Sequence, residues 1–507
     1  MTDAKNYDSE FCGRVPLNQT NLIQPHGILM LVDKVNWNII QVSENVADLL
    51  GKTAPEVINT PFTDYITPAQ KENIQGRFEE SRGGRIPFTF SFQQEGGSKD
   101  YLALVQAQEQ YLMLEIERAA VNAVQNSFIN VYGELKYAIA GIDAANTIEE
   151  AAAIVAKEIK RISGFDKVMI YRFDEGWNGN VIAEEKEEGM DAYLGLTFPA
   201  SDIPKGAREM YRANPYRFIP NAAYQPVRLY PVINPLTHAF TDLAASQLRS
   251  VAAVHIEYMR NMNITASMST RILQGDRLWG LISCHHRTAK YLSYQTCSLF
   301  ELLSDMISAK IASLNHRRQA AFKTDMHQLY TKVVESIYKE GSLQRGVAKQ
   351  QQQLLELLRA EGIAVVYEKE IQTFGTTPQP SEIEDLVFWL QSKDVAELFT
   401  VSGLSDQYEH ADAYVADASG LLVLPIHPGK GHFILAFRPE AIRKVNWGGN
   451  PDEAINFTPD GKNYHPRNSF QLWQQTVKKQ AIPWRAEELE MAESFKNFVL
   501  AYTLQKM

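Results

Sequence analysis

Pro199-Ala200-Ser201-Asp202-Ile203-Pro204 opens a proline- and tyrosine-rich tract, residues 198–235, that separates two strand-like segments, residues 167–173 (KVMIYRF) and residues 278–285 (LWGLISCH). So much proline reads mostly as loop. A long loop inside a compact domain usually covers or forms a site. In and after the tract stand Tyr211, Arg217, Arg249, His255, Tyr258, Ser267, Ser269 and His285. Cations, hydroxyls and imidazoles around apolar strands suit a largely apolar ligand with anionic ends, because Arg binds carboxylates through a planar fork. Taken singly, each has a plainer reading: a lone His as a satisfied structural or surface group, a lone Arg as a solvated charge.

Working outward toward the N-terminus, residues 1–25 are polar and loop-like and include Cys12 and Pro16. Residues 28–32, 38–42, 88–92, 101–106 and 112–116 read as strands and 44–50 as a helix, giving a small antiparallel sheet with short helices on one side. A second unit begins near Val124. Thr147 and Glu150 are spaced as a capping box, and the helix after them places Ala151, Ile154, Val155 and Ile159 on one face. Toward the C-terminus, residues 298–339 carry two apolar stripes: Leu303, Ile307, Ile311, Leu314, then Phe322, Met326, Leu329, Val333, Ile337. Such a helix packs beside a partner helix or lies on its own domain's core; stripe spacing fits both. A third unit, about 340–485, contains buried strands at 420–425 and 433–437, with His427 and His432 as turn residues of a hairpin. Residues 486–507 are helical, with Leu489, Ala492, Phe495, Val499 and Tyr502 on one side. The fold class is α/β (α+β): three domains at 1–120, 121–315 and 316–507, each a central antiparallel sheet flanked by helices, joined by long helices.

The 507 residues also fit about three domains. A net charge of −10 argues against a broad nucleic-acid surface. The polar start lacks a signal peptide's apolar stretch, and runs such as residues 27–32 (GILMLV) are too short to cross a bilayer. Three cysteines, Cys12, Cys284 and Cys297, suit a reducing cytosol better than a disulfide framework, so the expected location is cytoplasmic. No P-loop, nucleophile elbow, H-E-x-x-H or metal site stands out, so the chain is expected not to be an enzyme. A dark regulatory module holding a cyclic nucleotide or haem is the rival reading, with His255 or His285 as a haem ligand.

Residues 199–204 (PASDIP), 258–262 (YMRNM) and 278–286 (LWGLISCHH) together resemble the chromophore-binding GAF domain of phytochromes. The first unit is similar to their PAS domain. Cys12 followed by Ile23-Gln24-Pro25-His26-Gly27 resembles the N-terminus of bacterial phytochromes. The third unit resembles the PHY domain, with Trp447-Gly448-Gly449 and Pro466-Arg467-Asn468-Ser469-Phe470 matching its tongue, about residues 440–480. One such string is weak; five in the family's order are specific, and they span nearly the whole chain.

The resemblance implies a red/far-red photoreceptor that holds biliverdin, a linear tetrapyrrole, through a thioether from Cys12 to ring A. Plant and cyanobacterial relatives instead use a cysteine just before the pocket histidine, where this chain has Val254. It implies that Arg217 and Arg249 pair with propionates and that Ser267 and Ser269 bond the other propionate. The Asp202 backbone carbonyl and His255 hold the pyrrole nitrogens through a water, and His285 faces the ring D carbonyl. Tyr171, Phe198, Ile203, Tyr211, Tyr258 and Met262 line the chromophore. Ala252 departs from relatives that carry a small hydroxyl there. In the tongue, with Trp447, Arg467 pairs with Asp202 in the dark and Ser469 replaces it in the light. Residues 469–476 (SFQLWQQT) read equally with strand and helix spacing, as a bistable element requires. Expected partners are a second copy through the long helices and an output module beyond Met507, in relatives a histidine kinase or a diguanylate cyclase. Neither nucleic acid nor membrane is expected.

Overall fold

The computed structural model describes residues 17–80, 84–94, 97–117, 128–453, 455–457 and 464–506. Cys12 lies outside the described residues. Two compact units result, residues 1–312 with 446–473, and residues 313–445 with 474–507.

The first unit holds two large sheets and the two-stranded pair Ile455–Phe457 and Tyr464–Pro466. One is antiparallel and seven-stranded, in the order Leu22–Ile23, Val227–Tyr230, Ile39–Ser43, Gly27–Asp33, Tyr111–Glu117, Gly97–Ala107, Arg85–Gln94. Its core is built from Ile28, Met30, Val32, Phe62, Phe90 and Leu114. Expectation and structure differ here. The tract 198–235, read as mostly loop, contains the helix Lys205–Ala213 and the strands Tyr216–Ile219 and Val227–Tyr230, and the last of these joins the first sheet. Proline at either end of a short segment leaves its interior free to pair, and a strand of four residues is too short to show a period.

The second sheet runs Tyr216–Ile219, Ala266–Gln274, Arg277–His286, Lys167–Phe173, Gly179–Lys186, Thr197–Phe198. Trp447 then pairs in parallel with Thr197. One face packs on the helix Ile148–Ser163, whose capping box closes as expected: Glu150 N donates to Thr147 Oγ1 at 3.1 Å, and Thr147 N donates to Glu150 Oε2 at 3.3 Å. Val155, Ile159, Val168, Ile170, Met268, Ile282 and Cys284 share that core with Leu303, Ile307 and Ile311. Cys284 and Cys297 are both buried and unpaired. The other face is left for the site.

In the second unit a five-stranded antiparallel sheet runs Glu370–Gly375, Gly362–Tyr367, His432–Arg438, Gly420–His427, Phe399–Val401. Its central strands are covered on both faces, which explains their unbroken apolar runs. Leu422, Leu424, Ile434 and Ala436 meet Met326, Val333, Ile337, Phe495 and Val499, while Leu421, Val423, Phe433 and Leu435 meet Ile383, Leu386 and Tyr414. The hairpin between His427 and His432 turns at Gly431, φ +70°. The helix Tyr294–Glu340 places Leu303, Ile307 and Ile311 in the core of the first unit and Met326, Val333 and Ile337 in that of the second. Among the described residues no helix is long and apolar enough to cross a membrane.

Candidate functional site

Strand alternation builds the site wall. Ser267 pairs with His285 and Ser269 with both Arg217 and Ser283, while Leu281 pairs with Tyr171. Directly opposed residues share a face, so these side chains stand together and their neighbours Met268, Ile282 and Cys284 point into the core. Tyr171 fits because Gly179, diagonal to it on the neighbouring strand, has no side chain: a Cβ there would lie 1.6 Å from the ring.

The opposite wall comes from the loop tract and the helix Ala253–Asn261. Residues 200–202 form a 3-10 turn. Buried Arg208 clamps it, donating to Ile203 O at 2.8 Å and Ala200 O at 3.4 Å while facing the Trp177 ring at 4.7 Å. His255 and Tyr258, three apart on the helix, stack with centroids 6.0 Å apart. Tyr258 Oη donates to Asp202 Oδ2 at 2.8 Å.

Between the walls lies a cavity of about 570 Å³. All thirteen binding residues expected besides Cys12 line it: Tyr171, Phe198, Asp202, Ile203, Tyr211, Arg217, Arg249, His255, Tyr258, Met262, Ser267, Ser269 and His285. Residues not anticipated also line it, notably Leu17, Thr20, Tyr193, Gln247 and Ser283. Ser283 was legible as the residue two before His285 on one strand.

The two arginines differ. Arg217 donates to the backbone carbonyls of Gln247 (3.0 Å), Arg249 (2.5 Å) and Ser250 (3.2 Å). Arg249 donates from Nη1 to Leu17 O at 2.8 Å and contacts Met210 Sδ at 2.9 Å, while its buried Nε has no partner. Among the described residues neither guanidinium forms an ion pair. Burial holds both pKa values below the usual arginine range, and for Arg217 the repulsion from Arg249 adds to it. A large apolar cavity with paired buried cations and a spare N–H donor fits a ligand carrying carboxylates.

The tongue segment closes one side. Arg467 is buried, forms an ion pair with the Asp202 carboxylate and donates to Gly448 O at 2.5 Å. Its guanidinium faces Phe198 at 5.2 Å and Phe470 at 5.0 Å. The Trp-Gly-Gly string has a steric reason. A Cβ on Gly448 would lie 2.8 Å from the Phe198 ring, and Gly449 has φ +92° with the Ser469 carbonyl 2.3 Å from where its Cβ would be. Ser469 itself is exposed.

Three imidazoles stay neutral by burial. His26 and His255 are held down to about 4, with Arg217 adding to the effect, and His285 to about 3, with Lys167 and His255 adding. The unfolded chain protonates these groups near 6.5, so stability is full above that value and is lost as pH falls toward the folded values. Each histidine costs about 2 kcal/mol by about pH 5. Glu117, pushed up to about 7 mainly by burial, acts oppositely and offsets part of this. The ligand-free chain is therefore expected to melt at lower temperature in mild acid than at neutrality. Calorimetry across that range checks it, and a flat melting temperature contradicts buried neutral imidazoles.

Family models match over most of the chain: a PAS fold at residues 12–119, a GAF domain at 147–311 and a phytochrome region at 326–507. Cyanobacterial phytochrome B of a Nostoc species is 36% identical over 98% of this chain and 67% of its own length. A bacteriophytochrome of Xanthomonas campestris is 30% identical over 98% of this chain and 80% of its own. The crystal structure of a bacteriophytochrome from R. palustris superposes with a TM-score of 0.84 at 31% identity, covering 98% of this chain and 99% of that one. Fold and site together define a PAS-GAF-PHY photosensory module. The chain belongs to the phytochrome family of photoreceptors, which bind a linear tetrapyrrole. It spans about two thirds of the length of the first curated relatives it matches.

Proposed function

We propose that the chain senses red and far-red light with biliverdin held in the cavity and anchored by Cys12. The single observation that carries this reading is the unpartnered Nε of buried Arg249 in the same cavity as Asp202, His255 and His285. When bound, the bilin supplies absorption of red light and rotation of ring D. Arg249 takes a propionate through its free donor, Arg217 supports it electrostatically while holding the Gln247–Ser250 backbone, and Ser267 and Ser269 take the other propionate. The Asp202 carbonyl and neutral His255 offer acceptors to pyrrole N–H groups. His285 faces the ring D carbonyl. Tyr171, Phe198, Ile203, Tyr211, Tyr258 and Met262 exclude water and restrain the ring by contact.

Leu17, five positions after Cys12 in the sequence, lines the cavity wall, which supports the reading. Signalling is assigned to the tongue, with Trp447 in its parallel pairing, Arg467 on Asp202, and Ser469 taking over that carboxylate after illumination. The domain limits 1–120, 121–315 and 316–507, a homodimer and a cytoplasmic output module belong to the same proposal. Its test is the absorption spectrum of the chain with biliverdin, dark and illuminated. A red band that converts reversibly is expected. A colourless chain, a band indifferent to light, or a Soret band from haem would overturn it.

A further inference from the structure

Arg467 reaches Asp202 from a segment with little sheet support. The strand Tyr464–Pro466 before it pairs with Ile455–Phe457 and, among the described residues, does not join the large sheet of the cavity. After it, a second cavity of about 470 Å³ opens between Asp191, Tyr193, Asn261 and residues 468–472, so packing is incomplete on that side. Ser469 and Leu472 are exposed. The helix Ala253–Asn261 supplies the hold. Asn261 Nδ2 donates to Arg467 O at 3.1 Å. One turn earlier on the same face, both carboxylate oxygens of Glu257 lie 3.0 Å from His465 Nδ1. Tyr258, between them in the chain, meets the Phe470 ring edge to face with centroids 5.2 Å apart.

We propose that Asn261 is a positioning residue for the switch: by holding the Arg467 carbonyl it fixes the backbone from which the guanidinium reaches Asp202. The clause about the switch rests on the proposed function; the clause about the backbone does not. The geometry suits the role. An amide N–H aimed at a main-chain carbonyl places the chain itself, whereas the ion pair and the ring contacts act on the far end of a long side chain. The helix is a firm origin for that hold. Met259 anchors it in a buried cluster with Ile219 and Ile264, and His255, six residues before Asn261, lines the pigment cavity. Spacings of three place His255, Tyr258 and Asn261 along one side of the helix, which therefore runs from the cavity wall to the tongue.

Two variants of the full chain test this. Asn261→Ala removes the donor, and Asn261→Asp keeps its shape but turns an acceptor toward the carbonyl. Without bilin, hydrogen exchange of the backbone amides in the segment 464–471 is expected to quicken about two- to ten-fold in both, the size of one hydrogen bond. Amides of the strands Ala266–Gln274 and Arg277–His286 should keep their wild-type rates. With biliverdin added, dark reversion should slow by up to the same factor, in the direction expected for Arg467→Ala. In the Arg467→Ala background the further effect of Asn261→Ala on reversion should vanish, because Asn261 acts through that side chain. Wild-type exchange in both variants, loosening shared equally by the two strands, or an undiminished effect on reversion in the Arg467→Ala background overturns the proposal. A chain that takes up no bilin refutes the proposed function and leaves the exchange result to decide the role of Asn261.

Discussion

Cys12→Ser is expected to abolish covalent pigment attachment while the chain still takes up biliverdin reversibly. A thioether requires a thiolate; a cysteine supplies a few per cent of it at neutral pH, and a serine hydroxyl supplies essentially none. Cys12 stands five positions before Leu17, a chain length of at most ~18 Å, and Leu17 lines the cavity. Neither remaining cysteine can substitute. Cys284 stands on the strand Arg277–His286 with its side chain in the helix-covered core, opposite to the cavity face. Cys297 is buried in the same core. Burial also pushes the pKa of both thiols up, which suppresses the nucleophilic form. The cavity contacts of Arg249, His255 and the apolar wall are untouched by the substitution, so reversible binding survives. Zinc-induced fluorescence on a denaturing gel reads the covalent bond, and absorption of the native chain reads the reversible one. A surviving fluorescent band refutes the assignment of Cys12; loss of all uptake refutes the view that the cavity alone recognises the pigment.

Arg467→Ala is expected to leave pigment binding intact and to shift the balance of the two states several-fold away from the dark arrangement, slowing dark reversion. The guanidinium neutralises Asp202, ties to the Gly448 carbonyl and lies between the rings of Phe198 and Phe470. Truncation leaves a buried carboxylate whose remaining side-chain partner is Tyr258. Removing one partner of a buried pair typically costs about 3–5 kcal/mol. Reversing a two-state population takes about 5.5 kcal/mol, so this one contact is of the size that decides whether the tongue holds a switched state. Of the pigment-binding residues proposed above, Arg467 touches Asp202 and Phe198, whereas Arg249, His255, Ser267, Ser269 and His285 are not among its contacts, so occupancy should change little. Illuminated difference spectra and the dark reversion rate check the expectation. Photoconversion and reversion equal to wild type would remove the tongue contact from the switch.

Much of this was legible in the residues. The helix Ile148–Ser163 announced its start through Thr147 and Glu150 and its end through Gly164 at φ +61°. The paired strands of the second unit were visible as unbroken apolar runs because both faces are covered. The candidate site was readable because its motifs carry their own neighbours: Ser267 with Ser269, and His285 after Ser283, stand two apart on strands, while His255 and Tyr258 stand three apart on a helix. What stayed hidden was of another kind. Lys167 read as one more residue of an apolar strand, since its partner His285 is more than a hundred positions away. Nor was there any sign in the sequence that Arg217 donates to three backbone carbonyls of a distant loop.

By itself the sequence determined the local elements, the family and the residue types of the pocket, because caps, turns, strand alternation and short motifs are properties of neighbours along the chain. Tertiary structure alone decided that Val227–Tyr230 joins the first sheet and that Lys167 pairs across the second with His285. Those juxtapositions depend on which strands pair and in what register, and pairing partners separated by tens to hundreds of residues leave no mark on either segment taken alone.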